Sequence, residues 1–305
     1  MKKLLPIILI VITLGICIII LVKSNPQYIV VTTIPTSYNS INLQEDEDYL
    51  DVIIYLDYKD SYYTKKENII SSTLYDDEVM MKVQLHSIDY LEKHKIGNKN
   101  FYAYNFRFKV VIGDNQELVL KNARLELCYS DVENIDIYIG SIYFFKAPFY
   151  FDETNIVEIK EISGIVNEVD GIKTLVGMYL KIRCTDIITI KDIRLVDANN
   201  YFSLSEVVEV EEINANDNMN ELLGYSYDYC KGTIGTIDMT LQKGEKGIVI
   251  PIKTIKTLSR TGFIITYMYD GNLYNYYYND FIFFKDLEIS NNLQKKLEYY
   301  SYDFN

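Results

Sequence analysis

The chain is 305 residues long, more than one typical domain of about 100 to 200 residues, so two modules are expected. Its 49% apolar and 14% aromatic content, with 29 tyrosines, excludes a largely disordered chain. The net charge of −13 becomes −16 once the first 23 residues, with Lys2, Lys3 and Lys23 and no acid, are set aside. That balance argues against nucleic acid or an anionic membrane face as the main partner, because both select concentrated basic surface.

Residues Leu4 to Val22, LLPIILIVITLGICIIILV, are charge-free. As a helix they would reach about 28 Å, close to a bilayer core of about 30 Å. They predict a single-pass signal-anchor helix over 4–22, with a cytoplasmic tip at 1–3 and the bulk of the chain extracytoplasmic, since the lysines precede the apolar run. A cleaved signal would normally have a shorter apolar region and an A-x-A-like exit, and KSNPQ supplies none. A lipoprotein reading at Cys17 is disfavoured by Ile16 and by the apolar run that continues to Val22. The lipid bilayer is therefore an expected partner through residues 4–22, and the cell membrane the expected location.

Residues 23–42 read as a tether or first strand, with Pro26, Pro35 and the strand-like YIVVTT. A β-rich domain is expected over 43–152. Its acidic lead-in, Glu45 to Asp48, matches no calcium-loop spacing and is read as a solvated run. Period-two alternation then places Val52, Ile54 and Leu56 on one face, followed by Met81, Val83 and Leu85 with His86 on the polar side. LEKHKIGNKN reads as a polar excursion. Tyr104, Phe106, Phe108, Val110 and Ile112 share a side, as do Ala123, Leu125, Leu127 and Tyr129, with a turn at GDNQ between them. KAPFYFDE, around Pro148, is the best boundary.

A second β-rich domain is expected over 153–290. TLVGMYLKIRC, DIITIKDIRLV and YFSLSEVVEVEEI are strand candidates, NANDNMN a loop, KGEKG a turn, and Asp270-Gly271 a hairpin turn between aromatic strands. Residues 291–305 read as a tail or short closing helix. The fold class is thus mainly β, antiparallel β-sandwich-like modules behind a transmembrane helix, because hairpin spacing favours a sandwich over strand and helix crossovers.

Chemistry is sparsely signalled. Only His86 and His94 exist, with no HExxH, and Cys128, Cys184 and Cys230 form neither a zinc ribbon nor a dense disulfide framework, although one pair among the three could bridge. Ser226 in GYSYD lacks the second glycine of a nucleophile elbow, GTIGT and KGEKG lack P-loop order, and no carboxylate pair stands out for glycoside chemistry. No catalytic, cofactor or metal residue is nominated, and whether the chain is an enzyme is left open.

The densest aromatic stretch, YMYDGNLYNYYYNDFIFF, nominates Tyr267, Tyr269, Tyr274, Tyr276 and Tyr278 as an interface for an envelope protein or glycan; packing between β layers explains the same pattern. The sequence therefore reads as a membrane-anchored extracytoplasmic interaction or surface-structural protein, with an envelope carbohydrate-binding module and a surface glycan-active enzyme as alternatives.

Overall fold

The computed structural model describes residues 28–42, 47–113, 117–147, 155–169, 172–214, 217–229, 234–254, 257–258, 260–282 and 297–303. The strands that alternate in sequence alternate in burial. Val52, Ile54 and Leu56 of β3 (Glu47–Leu56), Phe106, Phe108 and Val110 of β6 (Lys99–Val111), and Leu125 and Leu127 of β7 (Glu117–Tyr129) are all fully buried in one core. Period two puts successive side chains on opposite faces, so each such strand has one face for the core and one for water.

β1 (Tyr28–Thr33), β3, β6 and β5 (Met80–Ile96) make one layer; β4 (Ile69–Tyr75), β7, β8 (Ile135–Lys146) and β2 (Thr36–Asn42) make the other. β5 belongs to both, pairing β4 through Met80–Val83 and β6 through Gln84–Ile96, with register shifts at Leu85/Ser87 and Tyr90/Lys93. Such bulges bend a strand, which lets one chain segment close the sandwich edge. The segment read as a polar excursion is consequently the outer half of β5, continuing through a turn at Gly97 into β6. This strand order, A-B-E-D facing C-F-G, is that of an immunoglobulin-type sandwich.

The second half repeats it. β9 (Val157–Val169), β10 (Ile172–Cys184), β15 (Gly244–Lys253) and the short β12 (Tyr201–Phe202) form the A-B-E-D layer, with β13 (Val208–Glu209) also on β15. β17 (Asn272–Ile282), β16 (Arg260–Tyr269), β11 (Ile188–Leu195) and β14 (Met239–Leu241) form the other. The core between them contains Leu180, Ile190, Ile250, Phe263 and Ile265. KGEKG lies mostly within β15; Gly247 is needed there because a Cβ would stand 2.1 Å from the Val210 carbonyl oxygen. The Asn-rich loop ends in a five-residue helix, α1 (Met219–Leu223), capped reciprocally by Asn218 and Glu221, which seats Met219 on Gly177.

The expected membrane-spanning helix is corrected. No helix of the described residues is long and apolar enough to cross a membrane, and residues 4–22 lie outside the described residues. The described residues therefore give no support to the single-pass anchor, the bilayer partner or the cell-membrane location. At the other end, Tyr299–Asp303 is a strand, β18, where a tail or closing helix was expected; it pairs antiparallel with β1, from Tyr28↔Asp303 to Thr32↔Tyr299.

The two sandwiches meet on β2. One edge of this strand runs parallel to β8, from Thr36↔Gly140 to Asn42↔Lys146. Beyond its other side lies the second sandwich, where the Ser37 N–H donates to the Thr257 carbonyl at 2.9 Å and Asn39 Nδ2 donates to Asp197 Oδ2 at 2.6 Å. Asp197 Oδ1 accepts the backbone N–H groups of Asn199 and Asn200 at 2.8 and 2.6 Å, and Asn200 Nδ2 donates to Ser37 Oγ. An apolar cluster of Ile41, Tyr143, Val196 and Ile264 adjoins this network, with Phe145 stacked on Tyr277.

Gly140 has φ +121°, and a Cβ there would stand 2.0 Å from the Thr36 carbonyl oxygen. Gly140→Ala should therefore cost about 3 kcal/mol or more, measured as a lowered urea midpoint. Burial raises the Asp197 carboxyl pKa, opposed by the four groups that donate to it. A carboxyl raised in the folded state holds its proton more tightly there, so its contribution is lost as pH climbs from the unfolded value, about 3.9, through the folded one. The stability of Asp197→Asn relative to wild type should accordingly rise across that interval in urea titrations at successive pH values.

Candidate interaction surfaces

The Tyr-rich hairpin forms as expected, with a two-residue turn at Asp270 (φ 47°) and Gly271 (φ 79°) joining β16 to β17. Tyr267 is fully buried. Tyr269, Tyr274, Tyr276 and Tyr278 are partly buried and pack against the second core, Tyr278 stacking on Phe263 with centroids 5.0 Å apart and Tyr274 on Tyr267 at 5.7 Å. The opposite face of β17 carries exposed Leu273 and Asn275, and Tyr277 at the junction. The five nominated rings therefore share a face that points mainly inward.

A different strand face presents aromatic and charged groups to solvent. Because Leu50, Val52 and Ile54 point into the core, Tyr49, Asp51 and Ile53 of β3 point out, opposite Lys109, Arg107 and Asn105 of β6. The Arg107 guanidinium lies 4.6 Å from the Tyr49 ring centroid, and Arg107 Nε is 3.9 Å from Asp51 Oδ1. Asn105 Nδ2 donates to the same Asp51 oxygen at 2.9 Å, and the His86 ring meets Tyr49 edge-on with centroids 5.4 Å apart. Asn105 Oδ1 is buried and has no hydrogen-bond partner among the described residues. Arg107 and Asp51 are each a little over 40% exposed, so their ion pair adds little stability and leaves both able to bond elsewhere.

His94 repeats the edge-on contact, with Tyr55 at 5.5 Å, and its Nε2 is 3.2 Å from Glu92. Both histidines thus sit on the outer side of one sheet, each against a tyrosine. His86 was legible only as the polar side of a strand. What could have flagged this face is the second alternation inside EDYLDVIIYL, Tyr49, Asp51 and Tyr55 interleaved with the core positions. Pairing with Arg107 was not readable, since register is a tertiary outcome.

On the second sandwich, Glu209, Glu211, Glu212 and Glu245 line an open groove of about 530 Å³ with Lys181 and Lys246, and Lys246 Nζ pairs with Glu209 Oε2 at 2.5 Å. Among the described residues no group of three or more His, Cys, Asp and Glu side chains is placed to hold a metal ion. Ser226 is exposed on the loop after α1. Cys128 and Cys184 are free thiols in different sandwiches, and Cys230 lies outside the described residues.

Neither a protein-family model nor a curated protein sequence matches this chain. Among solved structures, the chain is similar to one described as BspA_C_WT, at 10% identity and TM-score 0.21 over 82% of this chain and 98% of that one. It is similar also to the Streptococcus agalactiae AgI/II polypeptide BspA C-terminal domain, at 9% and 0.21 over 82% and 98%. A third, described as an anomalous substructure of Titin-A168169, aligns at 8% and 0.19 over 82% and 97%. Superpositions this poor carry no argument, and the reading of this protein rests on its own geometry.

Burial raises the Cys184 thiol pKa to about 11, so almost none of it is thiolate at neutral pH. Under native conditions iodoacetamide should leave Cys184 unmodified and should label half-exposed Cys128 first, with Cys184 reacting once denaturant is added; peptide mass spectrometry reads the difference.

Proposed function

We propose that this chain is a non-catalytic interaction protein whose two sandwiches act as one rigid unit and engage a protein partner through the outer face of β3, β6 and β5. The supporting observation is the Arg107 guanidinium held over Tyr49 beside Asp51, half exposed on a sheet rather than on a loop. Arg and Tyr dominate protein contact energies because each combines a large flat apolar surface with directional hydrogen bonds. A sheet-mounted pair has lost its conformational freedom before binding, which reduces the entropic cost of association. Arg107 covers a face of Tyr49, which disfavours sugar stacking and favours a partner with carboxylate or carbonyl acceptors.

The boundary expected around Pro148, with domains divided between residues 152 and 153, lies outside the described residues. In this proposal the functional unit is the pair of sandwiches, since the buried network around Asp197 suppresses relative motion and presents the β3 face in a fixed direction from the second sandwich.

Full-length protein carrying a photo-crosslinking residue at Lys109 should capture a protein that mass spectrometry identifies. With that partner purified, Arg107→Ala should weaken binding about tenfold, roughly 1.4 kcal/mol, with the urea midpoint unchanged. Equal affinity of wild type and Arg107→Ala, or capture of a glycan alone, overturns the proposal.

A further inference from the structure

β18 is the last described element of the chain and completes the edge of a sheet that begins with the first. Its pairing partner β1 lies more than 260 residues earlier, and Tyr299 and Tyr302 make ring contacts and hydrogen bonds with the first sandwich. The strand is held as a bound peptide would be. Tyr302 projects into the first core, where its hydroxyl donates to the Asp136 carbonyl at 2.8 Å and accepts the Asp136 N–H at 3.0 Å. Tyr300 Oη accepts from the Tyr138 N–H at 3.5 Å, and Thr32 Oγ1 donates to the Glu298 carbonyl at 2.7 Å. Leu297 is buried against Val30, Phe101 and Ala103 on the outer side of β1, β3 and β6. Main-chain pairing along a sheet edge with alternate side chains in pockets is the general pattern of strand addition.

We propose that the groove between β1 and β8 is a strand-accepting surface, and that its occupant in a self-associated form is β18 of a second copy of this chain. The contacts made by β18 within one copy and between two copies are the same, so exchange loses no pairing and depends only on concentration against the tether. Sixteen residues separate Ile282 from Tyr299, enough for at most about 55 Å, so chain length does not confine the strand to its own groove. The edge it covers is otherwise a row of unpaired N–H and C=O groups on β1, a template that some strand must satisfy. Reciprocal exchange closes a two-fold dimer, whereas one-way exchange extends a chain of copies. The inference goes beyond the partner contact at Arg107 and does not rest on it, since β18 pairs with β1 whereas Arg107 lies on β6, opposite β3.

The test uses full-length single-cysteine additions. Val30 and Ser301 are cross-strand neighbours, as are Thr32 and Tyr299. In a mixture of differently tagged Val30→Cys and Ser301→Cys proteins, neither copy can form the new bond alone, and a covalent heterodimer forms only if β18 of one enters the groove of the other. With an effective tether concentration of about 1 mM, mixing at about 0.1 mM under mild oxidation should trap on the order of a tenth of the protein as heterodimer. Thr32→Cys with Tyr299→Cys should give the same product at a second position of the register, and the urea midpoint of each variant checks that it folds. The control pairs Ser301→Cys with Asn272→Cys on the far hairpin, and reports any cross-linking through the native cysteines. Heterodimer from both neighbour pairs in excess of the control supports exchange. Heterodimer at the control level for both pairs overturns it.

Discussion

Everything about the arrangement of this protein depends on β2 being shared. It supplies the outermost strand of one sandwich, through parallel pairing with β8, and the polar edge on which the other sandwich rests, through Ser37 and Asn39. Few residue types can do both. A strand buried on two sides needs side chains small enough for close approach and polar enough to satisfy carbonyl and carboxylate groups removed from water, and TSYNSIN is such a sequence. Gly140 is the complementary concession on β8, giving up a side chain so that the Thr36 backbone can lie against it. The Asp197 carboxyl is costly to bury and is tolerated because backbone N–H groups and Asn39 converge on it.

The same logic of satisfied edges explains the rest of the architecture. β5 bends across both layers and closes one side of the first sandwich, while β18 covers the other by lying on β1 and bridging to β8 through Tyr302. In the second sandwich, α1 and its flanking loop cover a sheet face through Met219 and Tyr227. Tyrosine rings fill several of these roles. A phenol can bury its ring and still hand its hydroxyl to a backbone group, as Tyr129 does with the Tyr63 carbonyl and Tyr179 with that of Glu211.

Function then rests on what is left facing water. A sheet face fixes its side chains in rows set by register, so Tyr49, Asp51, Asn105 and Arg107 are held near one another without any loop having to order on binding. Hydrogen bonds and apolar contacts at β2 join the first sandwich to the second. In the hairpin of Tyr267 to Tyr278, Tyr267 is fully buried and Tyr269, Tyr274, Tyr276 and Tyr278 are partly buried against the second core.

By itself the sequence determined the β character of the chain, the inward faces of β3, β6 and β7, and the Asp270-Gly271 turn, because period two and positive-φ turns are local properties of the backbone. Sequence reading also implied a spanning helix from an apolar run, and it read KGEKG as a turn and 299–303 as part of a tail or helix. For KGEKG and 299–303 local composition was compatible with more than one element, whereas the apolar run lies outside the described residues. Tertiary structure decided which strands were neighbours, and through register it decided that Arg107 meets Tyr49, that Asn39 meets Asp197, and that the C-terminal tyrosines return to the first strand. Such pairings join residues dozens to hundreds of positions apart, and no periodicity encodes them; they follow from which burial of edges and polar groups leaves the fewest unsatisfied.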